Sequence, residues 1–167
     1  GVLGAGNFAT AVLLPALKAN PQVALVGIVS ASGASAQHAA NKFAFSYAAS
    51  DPAKIIHDDQ VEAVAILTRH NLHAAQTMAA LAAGKHILLT PGIYEIDETL
   101  AITEPNTVIL GLGLPTLIPQ HGEVAVAVND IPGVKLAGFM VDAGPELSPT
   151  LIQIGSKDSE VDYPDNP

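Results

Sequence analysis

Three groups of residues in this chain have types and spacing suited to chemistry. Gly4-Ala5-Gly6-Asn7-Phe8-Ala9 is a Gly-x-Gly-x-x-Ala turn that follows an apolar strand and precedes an apolar helical stretch. In such a turn the first glycine makes the tight bend and the second lets the backbone approach a pyrophosphate. The small third residue allows close helix–strand packing, with phosphate held at the helix N-terminus. Ser30 and Ser32 stand at the end of the next apolar run, roughly 20 residues after the glycines, where a dinucleotide fold places its ribose-reading residue. No Asp or Glu occupies that place and no arginine lies near it, so the residues lean weakly towards NADP and leave NAD or NADP open. Thr68, His70 and His73 follow a third apolar run, where open α/β sheets bind ligands. The two histidines lack companions at ligand spacing, so no metal site is expected, and solvated loop histidines are the alternative. Asp97, Glu98, Asp142 and Glu146 offer acid/base carboxyls for sugar chemistry, but their spacing fixes no facing pair.

The elements that must position these groups fall into two kinds. Up to about residue 87 the pattern alternates: strands near 1–3, 23–29, 44–47, 63–67 and 86–89, with helices over 10–19 and 35–42, a turn opened by Asp51-Pro52, and a helix from Thr68. Pro15 should kink or shorten the first helix, because it removes an amide donor. On the last helix Leu72, Ala75, Met78, Ala79 and Ala82 share one face. Continuous apolar runs bounded by helices predict a parallel sheet covered on both sides. After residue 87 the chain carries short apolar strands near 100–102, 124–128 and 151–154. The segments Pro105-Asn106-Thr107-Val108-Ile109-Leu110-Gly111 and Pro132-Gly133-Val134-Lys135-Leu136-Ala137-Gly138 match at an offset of 27 residues. A fixed period of that size predicts a solenoid whose coils bury their faces against one another. Chance recurrence in a proline-rich half is the other reading. The expected fold is thus α/β: a partial Rossmann-like parallel sheet over residues 1–87, then a short, incomplete β-solenoid (right-handed β-helix) segment over 88–167.

Composition divides at the same place. Of 167 residues 49% are hydrophobic and 14% charged, ample for a packed core. The net charge of −9 is lopsided: residues 1–85 hold five cationic side chains against four acidic ones, and residues 86–167 hold two against twelve. That acidic half argues against nucleic acid and anionic lipid as partners. There are no cysteines, which excludes disulfides and thiolate metal sites. No apolar run is long enough to span a membrane. Opening on Gly1 inside a strand and stopping at Asp165-Asn166-Pro167, the sequence reads as a fragment with truncated ends.

Two resemblances follow. Gly4-Ala5-Gly6-Asn7-Phe8-Ala9, Leu14-Pro15-Ala16-Leu17, residues 26–32, Thr68-Arg69-His70 with His73, and Ala82-Ala83-Gly84-Lys85-His86 resemble the N-terminal half of the glucose–fructose oxidoreductase/inositol dehydrogenase (Gfo/Idh/MocA) family. That resemblance implies NAD(P) at Gly4, Gly6, Asn7 and Phe8, Ser30 near the ribose, and Thr68 and His73 towards the nicotinamide. The family continues into Glu-Lys-Pro, whose lysine sits by the reacting centre; here Leu89-Thr90-Pro91 stands instead. The family's substrate domain is replaced as well. Residues 80–155, with Leu88-Leu89-Thr90-Pro91-Gly92-Ile93-Tyr94, residues 108–113 and Val141-Asp142-Ala143-Gly144-Pro145, resemble the opening coils of pectate-lyase-like right-handed β-helix proteins.

The expected function is an NAD(P)-binding oxidoreductase-like domain, a truncated or chimeric fragment without its catalytic substrate domain. It should bind the dinucleotide weakly and be inactive in hydride transfer, with His73 the single weak catalytic candidate. The oxidoreductase reading implies the cytoplasm. A carbohydrate-binding or carbohydrate-cleaving β-helix protein is the alternative, and a passive fusion without selected function a further one. The uncapped end of the solenoid invites self-association.

Overall fold

The computed structural model describes residues 1–156, so the expected end of the second segment, residues 157–167, lies outside the described residues. The chain divides into two compact units, Gly1–Arg69 and His70–Pro167.

The first unit alternates strand and helix: β1 (Val2–Leu3), a π-helical turn (Ala9–Leu13), α1 (Leu14–Ala19), β2 (Gly27–Val29), α2 (Gly33–Phe43), β3 (Tyr47–Ala49), α3 (Ala53–Ile56) and β4 (Ala63–Ile66). The strands pair in parallel in the order β3-β2-β1-β4, with Val2 opposite Ile28 on one side and Ala65 on the other. Leu3, Leu14, Ile28, Ala36, Ala39, Ile55 and Ile66 are wholly buried, as a parallel sheet covered by helices requires. The apolar run 23–29 is ordered as strand only over its last three residues, and Val23 is 37% exposed. The strand expected at 44–47 begins at Tyr47 because Ala44 is used otherwise: in a left-handed conformation (φ 63°), it closes α2. The helix expected over 10–19 is split, its first turn widened to π and Pro15 seated in the first turn of α1, where a missing amide costs least. Asp51 accepts a hydrogen bond from the Ala53 amide at 2.9 Å, while the N-cap of α3 is Pro52, one residue after the expected Asp51.

In the second unit α4 (His70–Ala82) is followed, among the described residues, by nine short strands: β5 (His86–Leu89), β6 (Ile93–Ile96), β7 (Leu100–Ile102), β8 (Val108–Gly111), β9 (Thr116–Pro119), β10 (Val126–Val128), β11 (Lys135–Ala137), β12 (Met140–Val141) and β13 (Ile152–Ile154). They form three parallel ladders, β5-β8-β11, β6-β9-β12 and β7-β10-β13, each advancing three strands at a time. Val108 pairs with Lys135, which is the 27-residue offset read from the sequence, and Leu100, Val126 and Ile152 stand in one column at successive offsets of 26. The repeated glycines have a steric cause. Gly138 (φ +75°) and Gly111 pass so closely that a Cβ on either would strike the other's carbonyl oxygen.

Burial alternates along these strands, and the inward residues Tyr94, Ile96, Leu100, Ile102, Ile109 and Leu117 are at most 1% exposed. The third layer loses this protection. Down the column Ile102, Val128, Ile154 exposure rises from 1% to 5% to 75%, because β13 has a partner on one side only among the described residues.

One expectation is corrected here: α4 packs on β6 and β7, but not through the face expected. The face of α4 that does so is His73, Ala74, Thr77, Ala80 and Leu81; the expected face lies outward, with Leu72 43% exposed. Small residues fit a helix lying close on a strand layer, and Thr77 satisfies its own hydroxyl by donating to the His73 carbonyl at 2.7 Å.

The layering sets stability. Leu117→Ala, which empties a fully buried site, should cost about 2–5 kcal/mol in a urea melt, whereas Ile154→Ala should change it by less than about 0.5 kcal/mol. A second effect is alkaline. Burial, with a 2.7 Å hydrogen bond to Asp58 and its charge, pushes the Tyr47 phenol to about 12. The folded state holds this proton more tightly, so the contribution is complete below the unfolded value of 10.0 and is lost as pH rises to about 12. Melting temperature should fall across that window, less steeply in Tyr47→Phe.

Candidate functional site

Within the first unit the carboxyl ends of β2, β1 and β4 meet. The Gly4 amide donates to the Val29 carbonyl at 2.8 Å, and the Leu67 amide to the Leu3 carbonyl at 2.7 Å. β1 therefore lies between the strands that lead to Ser30 and to Thr68, and the glycine turn rises from the middle of the sheet. This is the switch point of an open parallel sheet, where ligands bind beyond the strand ends. Gly4 has φ +116°, and a Cβ there would collide with the Leu67 carbonyl, so only glycine fits. A Cβ on Gly6 would meet nothing within 4 Å. Asn7 is exposed and Phe8 is 41% exposed at the head of the helix that follows. Thr10 anchors that head: its amide and hydroxyl both donate to the Gly6 carbonyl, at 3.0 and 3.1 Å.

Ser30 and Ser32 belong to a closed hydroxyl cluster. The Ser30 hydroxyl donates to the Ser32 carbonyl and lies 2.7 Å from the Ser35 hydroxyl, which is 2.9 Å from the same carbonyl. The Ser35 amide donates to that carbonyl at 3.0 Å. Ser35 was not singled out from the sequence, although serine hydroxyls commonly bond the backbone carbonyl three residues back, as this one does. Thr68 is half-buried beside the glycine turn. Gly4, Gly6, Asn7, Phe8, Ser30, Ser32 and Thr68 are thus all borne by the first unit.

His73 is placed differently. It belongs to the second unit and is 2% exposed, its ring tilted against Tyr94 at a centroid distance of 4.4 Å, with the His70 ring edge-on at 5.2 Å. Gly92 makes room for them, since a Cβ there would stand 2.8 Å from the His70 ring. Tyr94 is wholly buried; its hydroxyl accepts from the Thr90 amide at 2.9 Å and donates to the Thr90 carbonyl at 3.1 Å. Burial raises the Tyr94 phenol above its ordinary value, the Thr90 hydrogen bonds offsetting part of the rise. The position that would carry the oxidoreductase lysine is therefore a threonine whose backbone clamps a core tyrosine.

The four carboxylates are dispersed. Asp97 is exposed, 3.6 Å from His121, and Asp142 accepts from the adjacent Ala143 amide at 2.8 Å. Glu98 is exposed, and Glu146 lines a cleft of about 350 Å³ with Leu147, Ser148 and Leu151. Sequence reading passed over Glu123, which accepts from the Gln120 and His121 amides at 2.9 and 2.8 Å. Burial pushes its carboxyl up, but hydrogen bonds from the amides of Glu123, Gln120 and His121, and the charge of His121, outweigh it and leave it below its ordinary value. This is a turn brace. Among the described residues no group of three or more His, Cys, Asp or Glu could hold a metal ion, and no helix is long and apolar enough to cross a membrane.

Comparison with known proteins gives two family matches. Residues 1–114 match the oxidoreductase family with an NAD-binding Rossmann fold, and residues 66–167 match the LAM55 pectate lyase-like domain. An exo-β-1,3-glucanase from Streptomyces sp. (strain SirexAA-E / ActE) is 49% identical over 89 residues, which are 53% of this chain and 15% of the glucanase. The structure of sacteLam55A from Streptomyces sp. SirexAA-E has a TM-score of 0.54 at 48% identity, over 56% of this chain and 17% of that one. KijD10, a 3-ketoreductase from Actinomadura kijaniata in complex with NADP and TDP-benzene, has a TM-score of 0.52 at 31% identity, over 54% of this chain and 27% of that one. The chain thus spans between about a seventh and a quarter of the length of these relatives.

The Tyr94 clamp gives a direct test of local structure. Tyr94→Phe keeps the ring against His73 but takes from the Thr90 amide the hydroxyl it donates to. It should destabilise the second unit by about 1–3 kcal/mol in chemical denaturation, and leave the melting of the first unit's helices, followed by hydrogen exchange, unchanged.

Proposed function

The chain belongs to two families at once, the NAD-binding Rossmann oxidoreductases over residues 1–114 and the LAM55 pectate lyase-like domains over residues 66–167, and on that premise we propose that it binds NAD(P) weakly and does not transfer hydride. The observation that carries this reading is the convergence of Gly4, Ser30 and Thr68 at three adjacent strand ends, with open space beyond Gly6. Gly4 and Gly6 bring backbone to the pyrophosphate, Asn7 and Phe8 head the helix that receives it, and Ser30 and Ser32 face the ribose. The absence of turnover follows from the missing acid/base group. Thr90 replaces the lysine, and His73 is buried against Tyr94, away from any hydrogen-bond reach of a substrate hydroxyl in bulk solvent.

We read the second unit as three coils of a right-handed β-solenoid, the chain being a chimera that passes from one architecture to the other through residues 79–94. Identity with an exo-β-1,3-glucanase favours a second function, recognition of β-1,3-linked glucan by this unit, with Glu146 and its cleft as the candidate surface. Cleavage is less favoured, because the spacing of Asp97, Glu98, Asp142 and Glu146 fixes no facing pair.

Fluorescence titration with NADH and NADPH tests the first function. Gly6→Asp fits the fold, because nothing crowds that position, and sets a negative charge where the pyrophosphate would lie. It should weaken binding at least about tenfold, a loss of roughly 1.4 kcal/mol; unchanged binding would remove the cofactor site. NAD(P)-dependent turnover of sugars or inositols would contradict the inactive reading, and retention on β-1,3-gluco-oligosaccharides would support the second function.

A further inference from the structure

We propose that His73 makes the docking of α4 on its strand layer acid-labile: the helix stays seated while this imidazole is neutral and comes away when it takes a proton.

The seat is closed to water. His73 is 2% exposed on the inward face of α4, with the wholly buried Tyr94 ring 4.4 Å from its own and the His70 ring edge-on at 5.2 Å. Gly92 stands against the same pair, since a Cβ there would lie 3.5 Å from the His73 ring and 2.8 Å from that of His70. A proton on an imidazole so enclosed brings a full charge into a region that excludes water, and such a charge is costly. The adjacent phenol already reports this resistance, because burial raises Tyr94 above its ordinary value.

The titratable and charged groups on the elements packed against α4 are mostly basic. The helix packs on β5, β6 and β7. Neither α4, β5 nor β7 contains an acidic residue. On β6, Glu95 is exposed, on the face opposite Tyr94, and Asp97 and Glu98 beyond the strand end are exposed as well. His86 on β5 is half-buried, its Nδ1 accepting from the Val108 amide at 3.3 Å. Arg69 precedes His70, and Lys85 precedes β5. Protonation therefore sets an imidazolium beside a second basic ring.

The sign follows from linkage. A group that the fold holds neutral and the unfolded chain protonates gives stability that is complete above the ordinary imidazole value of about 6.5. That stability is lost as pH falls further, by up to about tenfold in the seated-to-released ratio per pH unit. Release uncovers Ala74, Ala80 and Leu81 of the helix, with Tyr94 beneath it, so the acid form presents an apolar face.

The test is hydrogen exchange in the whole 167-residue protein, corrected for the intrinsic effect of pH, with α2 as the internal reference because its His38 is exposed. Protection of α4 relative to α2 should fall at least about tenfold between about pH 7.5 and about pH 5.0. His73→Phe, which keeps a ring that cannot titrate, and His73→Gln, which is uncharged and smaller, should each make the profile flat, and His70→Gln should make it shallower. A flat profile in the unaltered protein, or a fall that persists in either folded His73 variant, would overturn the proposal. Where neither variant folds, the imidazole NMR signal of His73 in the unaltered protein decides. A ring that titrates while α4 stays protected overturns the proposal, and one that titrates together with the loss of protection upholds it.

Discussion

Parallel pairing is the constraint on which both units depend. Every strand pairing described above is parallel, and two parallel strands cannot be joined by a tight turn: the chain must return to the same end before it pairs. Val2 and Ile28 are paired across 26 residues, Gly27 and Tyr47 across 20, Leu100 and Val126 across 26. The lengths are alike, and the filling differs. In the first unit a helix occupies each return and covers the sheet. In the second unit the return is made of two further strands, which cover one another and begin ladders of their own. The same requirement, to bury both faces of a parallel strand, is met by helices in one case and by further strands in the other.

This explains why residues 79–94 serve both family matches. A helix ending in Gly84 (φ +71°) and followed by the strand His86–Leu89 is one complete return of either kind. What decides the continuation is two residues in the turn after that strand, Thr90 and Gly92. Thr90 fixes the Tyr94 hydroxyl with both its amide and its carbonyl, and Gly92 leaves room for the two histidine rings. These contacts turn the chain into β6, which pairs with β9 and lies under α4.

Much of this was legible in the sequence, for identifiable reasons. The glycine turn could be read because Gly4 answers to a steric demand that no other residue meets, and the 27-residue offset because Gly111 and Gly138 need each other to be glycine. The buried face of α4 could not be read. Hydropathy picks Leu72 and Met78, whereas the helix lies close on β6 and β7 and admits Ala74, Thr77 and Ala80 there, with His73 paired to an aromatic ring. The extent of β2 was overestimated because an apolar run has no marker for where its second neighbour stops: only residues 27–29 have a partner on each side. In the candidate site, residue types were visible but the contacts among them were not. Ser30 and Ser35 are five residues apart, and only folding brings their hydroxyls within 2.7 Å.

Binding and catalysis make different demands on such a chain. Holding a dinucleotide, as proposed, requires an amide-lined turn, a ribose platform and a strand end, and the three adjacent strand ends that carry Gly4, Ser30 and Thr68 lie within Gly1–Arg69. These features rest on backbone hydrogen bonds and on one glycine conformation, which persist if the remainder of the polypeptide changes. Proton transfer requires a side chain with a free face at a fixed distance from the reacting carbon. The residues after Arg69 that bear on this are used in packing: Thr90 holds Tyr94, and His73 fills the space between α4 and that ring. An imidazole stacked at 4.4 Å in a core contributes to folding through its area and shape, and at 2% exposure that contribution is what the structure shows of His73.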